Sequence, residues 1–296
     1  SAFEVLRKRI DKFGVTQPNI QRLGTSGRIL VELPGAKDVD RVKNLLQSTA
    51  QLEFWETFKN DAFIGFLISA NELVSREQKN LSSDEFEDQD ASSEIDDLLA
   101  DVASTDSITK PSQNLILDKI VGQGFQGGPV LAQFASKDGE EILGYLNQPE
   151  VRRLLPSEYR YVNFALGKPD VESDIVELFA LRSNRDNRAP LSGGVVVDAI
   201  QTFDQVGNPA ISMQMDSRGA RIWENMTGKA FKESSNIAIV LDDIVYSAPG
   251  VSSGAISGGR SEITGDFSLN EAIDLANVLR AGKLPASAEI IQSEIV

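Results

Sequence analysis

The sequence predicts an α+β fold: a ferredoxin-like base sheet with an inserted α/β head subdomain. Three observations predict it. The first sixty or so residues read α-β-β-α-β, which is a β-α-β-β-α-β unit without its first strand. Strand-like runs between about 190 and 282 surround one helical run. The chain then closes on a short strand, "ASAEIIQSEI", that has no partner near it in sequence.

The elements follow in order. Phe3, Leu6, Ile10 and Phe13 share one helical face, and Gly14 stops the helix. "NIQRL" and "RILVEL" are two strands joined through Gly24-Thr25-Ser26-Gly27. Asp38 is an N-cap for a helix whose face is Val39, Val42, Leu45 and Leu46. "QLEFWETF" alternates as a strand, with Leu52, Phe54 and Glu56 on one face. From Asn80 to Thr109 there is no Lys or Arg. Within this acidic run Ile95, Leu98, Leu99 and Val102 fit a short docked helix. Two stretches, "PVLAQFASKDGEEILGYLN" and "PAISMQMDSRGARIWENMT", each read strand, turn, helix, with Gly139 and Gly219 in equivalent places. "IAIVLDDIVYS" is a hairpin about Asp242-Asp243. Ser268 and Glu271 form a capping box for a last helix that buries Ala272, Ile273, Ala276 and Leu279.

This order divides the chain into 1–66 closed by 283–296, an acidic linker and insertion at 67–189, and a unit at 190–282; the resemblance given below implies that these are the base, a lineage-type insertion and the head. Residues 287–293 are expected to pair with 28–33 or 51–58. The missing first strand and the terminal strand read as cuts in a longer chain.

Composition narrows function. The chain has 296 residues, 41% hydrophobic and 25% charged, with a formal net charge of −15. Such a charge opposes nucleic acid, whose binding depends on Lys and Arg, and opposes an anionic membrane surface. There is no Cys and no His. That removes His-dependent nucleophile systems and His-ligated zinc. No cofactor or metal is expected. "GQGFQG" is a literal G-x-G-x-x-G, but Gly128-Pro129 and a strand follow it where a dinucleotide site needs a helix, so it is read as a loop. Ser107-Ile108-Thr109-Lys110 matches S-x-x-K without its partner motifs, and no calcium loop is present. Trp55 and Trp223 lie within regular elements and are read as core.

"VLRKRIDKFGVTQPNIQRLGTSGRILVELPG", "TAQLEFWE", "LSGGVVVDAI", "AIVLDDIVYSAP" and "ITGDFSLNEAIDLANVLRAGKLPA" closely resemble the large periplasmic (P1) domain of SecD proteins. More narrowly, they are similar to the SecD half of a fused SecDF of Bacteroidetes type. The resemblance implies an RND-superfamily membrane protein on the periplasmic face of the bacterial inner membrane, beside the SecYEG translocon and with SecF. It implies that exported, unfolded polypeptide is drawn outward by the proton gradient, with no catalysis in this domain. It also implies a base and a head joined by a hinge. The alternatives are a passive periplasmic scaffold and a His-free hydrolase; the latter would need clustered carboxylates in a cleft.

Two sets of residues are candidates for function. Two chain crossings, at Lys59-Asn60 and at Gly282-Lys283-Leu284, are expected to form the hinge. Ile211, Met213 and Met215 share a strand face, with Trp223 and Met226 nearby. Methionine suits a surface that accepts many sequences, so these five are candidates for contact with exported polypeptide, provided they border an exposed groove.

Overall fold

The computed structural model describes residues 2–12, 18–24, 27–34, 43, 46, 51–84, 114–170, 172–265, 267–281, 290 and 291. Helix α1 (Ala2–Lys12) buries Leu6 and Ile10 and packs against the last helix. Strands β1 (Asn19–Leu23) and β2 (Arg28–Glu32) pair as an antiparallel hairpin, with Gly24 and Gly27 both at positive φ in its turn. Arg22 lies 4.6 Å over the ring of Phe3, which ties the hairpin to α1. Strand β3 (Leu52–Glu56) leads through a short 3-10 turn, Asn60–Phe63, into α2 (Ile64–Asp84).

After α2, strands β4 (Ile120–Gly122) and β5 (Val130–Ala135) form a hairpin around the glycine loop. Helices α3 (Ser136–Asn147) and α4 (Pro149–Arg152) follow, then β6 (Asn163–Leu166) and β7 (Ile175–Leu181). Strand β8 (Leu191–Ser192) precedes β9 (Val196–Phe203), β10 (Pro209–Met215) and α5 (Ser217–Glu233). Strands β11 (Ile237–Leu241), β12 (Ile244–Ser247) and β13 (Arg260–Ile263) and helix α6 (Leu269–Ala281) complete the described elements. The β11–β12 turn is the expected two-residue hairpin: Asp242 and Asp243 both have positive φ, as its twist demands.

Beyond the β1–β2 hairpin, the described residues form three sheets, ordered β4-β5-β7-β6, β12-β11-β3-β8 and β13-β10-β9. The two four-stranded sheets are packed back to back. Alternation sorts their side chains. From β3 and β11, Phe54, Ile237 and Ile239 point into a core shared with β10, α5 and α6. Their neighbours Trp55, Ala238 and Val240 point the other way, against Phe179 and Leu181 of β7 and Ala165 of β6. From β7, Val176, Leu178 and Ala180 face a third core with α2 and α3. The molecule is therefore layered as helices, sheet, sheet, then helices with the third sheet.

The α+β class holds, but two parts of the expected arrangement differ. Leu52–Glu56, assigned to the base beside 28–33, pairs instead with β11 and β8. The reason is its composition: Leu52 and Phe54 on one face and Trp55 on the other are all buried, and only a strand between two packed layers hides both faces. Within 67–189, residues 114–181 form a sheet with its own core rather than a linker. Of 287–293, only residues 290 and 291 are described; neither belongs to a strand, and the expected pairing otherwise lies outside the described residues. The helix expected about Ile95–Val102 also lies outside them, and Lys43 and Leu46 are the described, helical residues of the 38–46 helix.

The two strand–turn–helix stretches adopt that form, and their glycines have one job. A Cβ on Gly139 would stand 2.9 Å from Val176 Cγ1, and one on Gly219 would stand 2.6 Å from Val195 Cβ. Each glycine lets the first turn of its helix lie against the neighbouring chain. Gly144, in the interior of α3, meets nothing within 4 Å. Gly219→Ala is expected to destabilise the fold by about 1–3 kcal/mol. Gly144→Ala should stabilise it by about 0.5–1 kcal/mol. Urea unfolding checks both.

The capping box of α6 is also formed. Ser268 N donates to Glu271 Oε2 at 2.9 Å and Glu271 N donates to Ser268 Oγ at 3.3 Å, while Lys168, just past β6, pairs with Glu271 Oε1. Burial pushes the Glu271 carboxyl up, but Lys168 and Ser268 together outweigh it and hold the carboxyl below its usual value. A carboxyl with a depressed folded pKa contributes stability above its unfolded pKa and loses it as pH falls through the folded one. Unfolding titrations between pH 6 and pH 3 should show this acid loss reduced in Lys168→Gln.

Candidate functional site

The place where the two back-to-back sheets are joined by the chain is built by β3 and β7. Both strands end there. Thr57 and Leu181 form an antiparallel bridge. Phe58 N donates to Ala180 O at 2.8 Å, Arg182 N donates to Glu56 O at 2.7 Å, and Thr57 N donates to Asn236 O at 3.0 Å. The two crossings between sheets therefore lie side by side and are bonded to each other. At the far corner Gly167 bridges Val245, and Lys168 N donates to Val245 O at 2.9 Å.

Charge reinforces the junction. Glu56 continues the core-facing side of Phe54, yet its side chain is only 13% exposed, so it needs cations. It has two: Lys229 of α5 and Arg182, whose Nε lies 3.3 Å away. Arg182 also reaches Glu233 at 3.6 Å and stacks 4.5 Å over the Phe58 ring. Beside this network opens a cleft of about 550 Å³, lined among others by Phe58, Lys59, Asp61, Tyr159, Arg182 and Glu233. Burial, then the neighbouring Glu158, push the Tyr159 phenol up. Among the described residues no cluster of acidic side chains is arranged to hold a metal ion, and no helix is long and apolar enough to cross a membrane.

The residues singled out from sequence fare differently. Met213, Met215 and Met226 are 2%, 3% and 4% exposed, and Ile211 and Trp223 are buried with them. Phe54 meets Trp223 edge to face at 5.2 Å. All five fill the core between the third sheet, α5 and β3, so they border no exposed groove and are not contact residues. The first hinge position is also pinned. Asn60 Nδ2 donates to the carbonyls of Phe125 (2.9 Å) and Val130 (3.1 Å), its Oδ1 accepts from Gly127 N (2.9 Å), and its own N donates to Gly128 O (2.9 Å). Lys59 stands beside it as the N-cap of the 3-10 turn. Gly282, Lys283 and Leu284 lie outside the described residues. Sequence reasoning missed the Glu56–Arg182–Lys229 group. Its one legible signal was an acidic residue at the end of a core-facing alternation.

Residues 180–286 match the family model described as SecDF, P1 head subdomain, and residues 1–58 match that described as protein translocase subunit SecDF, P1 domain, N-terminal. The protein translocase subunit SecD of Rhodothermus marinus is 37% identical over 309 residues, covering 100% of this chain and 46% of that protein. The SecD of Magnetococcus marinus is 29% identical over 295 residues, covering 100% and 38%. The chain thus spans less than half the length of these curated relatives, and the alignments run across all of it, 67–189 included. Among solved structures, a crystal structure of SecDF in a super-membrane-facing form aligns with a TM-score of 0.50 at 24% identity, over 98% of this chain and 27% of that one. A structure of the membrane component SecDF that enhances protein export aligns with a TM-score of 0.50 at 23% identity, over 100% and 91%. At these identities the structural likeness is one of fold. The two P1 models fall in order on one chain whose whole length resembles SecD, and on that ground the chain belongs to the SecD/SecDF protein translocase family, as its P1 domain.

Proposed function

We propose that this domain assists protein export as a lever that contacts exported, unfolded polypeptide. The proton gradient acts on parts of the protein beyond this chain, with SecYEG and SecF as partners, on the periplasmic face of the inner membrane. The observation that supports it is the dry seam between the two sheets. Trp55, Phe179, Leu181, Val240 and Val245 are each 3% exposed or less there. At about 1.5–3 kcal/mol for each buried large side chain, separating them costs on the order of 10 kcal/mol. A charge crossing about 100 mV releases about 2.3 kcal/mol. That energy does not open the seam, so the described layers within 52–281 move together. The base–head joint is then proposed at Gly282-Lys283-Leu284 and not at Lys59-Asn60.

A passive scaffold is the second reading, favoured by the same rigidity. The two differ in whether slack at the joint matters. In full-length protein free of other cysteines, a reducible bifunctional thiol reagent bridging Lys168→Cys and Glu271→Cys should leave the export rate within about twofold; reversible loss of export on bridging would return the joint to the seam. A flexible Gly-Ser insert of about ten residues after Gly282 should lower export to the level seen without the domain, because slack uncouples a lever. Full export with the insert would favour the scaffold, and full export without the domain would remove the export role.

A further inference from the structure

We propose that the outer edge of β9 accepts an extended segment of exported polypeptide as an added strand, and that Arg280 guards this edge. The proposal rests on the reading that this domain meets such polypeptide. Among the described residues, β9 is terminal in the β13-β10-β9 sheet and its one paired strand is β10. The register is regular from Phe203↔Pro209 to Asp198↔Gln214 and then shifts, leaving Val197 unpaired as a bulge that bounds the edge.

The direction of the edge groups follows from two bonds. Ala199 N donates to Asp198 Oδ1 at 3.0 Å, and Ala199 O accepts from Arg280 Nη2 at 2.7 Å. Both backbone groups of Ala199 therefore face away from β10. In an antiparallel pair such groups alternate, so those of Gln201 and Phe203 face outward too. At Ala199 the edge is closed by a charged clasp, since Arg280 Nε also lies 3.1 Å from Asp198 Oδ1. Around the edge Val197, Ile200 and Phe203 are 59%, 50% and 56% exposed. Val206, 86% exposed, stands in a turn fixed by Asp204 Oδ1, which accepts from Val206 N and Asn208 N.

A row of outward N–H and C=O groups is complementary to another extended backbone, whatever its side chains. Exposed apolar flanks add affinity without a pocket for one residue type. That combination suits an unfolded chain of any sequence. Arg280 is the penultimate residue of α6 and its clasp is a single, partly exposed side chain, so an entering backbone that competes for Ala199 displaces the guanidinium without parting the layers.

The test uses full-length protein in membrane vesicles, a polypeptide arrested during export, and a photo-crosslinking phenylalanine analogue at Ile200, at Phe203 or, as control, at the exposed Val121 of β4. Crosslinks are expected from 200 and 203 and not from 121. Gln201→Pro removes only an outward N–H, which an edge strand tolerates. It should cut the yield about fivefold, the worth of roughly one hydrogen bond plus the ring's obstruction. Arg280→Ala should raise the yield a few-fold. If Gln201→Pro unfolds the sheet, Ile200→Asp at an exposed position should give the same loss. Yields unchanged by these variants, crosslinks only from 121, or crosslinks from 200 and 203 to a second copy of the domain would each overturn the edge proposal. Absence of crosslinks from every probed position across 52–281 would remove the polypeptide-contact reading as well.

Discussion

The described layers between residues 52 and 281 depend on the contact of Trp55 with the face of β7 that carries Phe179 and Leu181. Two sheets pack face to face when each offers the other an apolar surface, and here β3, β7 and β11 are buried on both surfaces. Here the bulky Trp55 and Phe179 share the seam with Ala165 and Ala238, and large against small lets the sheets approach without voids. The opposite faces of the same strands then need covers of their own. α2 and α3 cover one, and α5, α6 and the third sheet cover the other. A polar residue at 55 or 179 would leave an unsatisfied group in the middle of this stack and weaken both outer cores at once.

That double burial also explains which elements sequence reveals. α1, the β1–β2 hairpin, the Asp242-Asp243 turn and the α6 capping box depend on local rules: one apolar stripe, glycines at positive φ, a Ser and a Glu three apart. Each is readable from a few residues. β7, "IVELFAL", is buried on both faces and has no alternation to read. The partner of β3 was less legible still. "QLEFWETF" looks like a strand with one inward face, and nothing local says that its second face also needs a cover some 125 residues away. The helical spacing of Phe63, Phe66, Leu67, Ala70 and Val74 is plain in hindsight, but the apolar run around it invites comparison with membrane helices before core ones.

The methionines show how composition misleads about a site. Adaptable side chains serve a promiscuous surface, yet they serve irregular gaps in a core equally well. Met213 and Met215 lie on the inward face of β10, and Met226 is on the buried face of α5 beside Trp223. Their shared stretch reflects where three elements meet around Phe54. β9 instead carries three exposed apolar side chains, Val197, Ile200 and Phe203, and a bulge at Val197 shifts its register.

Stiffness and edge protection act together in this architecture. A lever works only if the force at its end is not absorbed along its length, and Thr57, Leu181, Asn60 and the Glu56 cations close the places where the chain passes between layers. The same need for closure applies to sheet edges, since an open one pairs with any extended chain that meets it. β12 is covered at its corner by the Gly167–Lys168 contact, and β8 is only two residues long. β9 is longer, and at Ala199 it is closed by a side-chain clasp rather than by another strand. A clasp made by one side chain next to a chain crossing is the least costly of these closures to release. It is therefore where an entering backbone opens an edge while the sheets stay packed together.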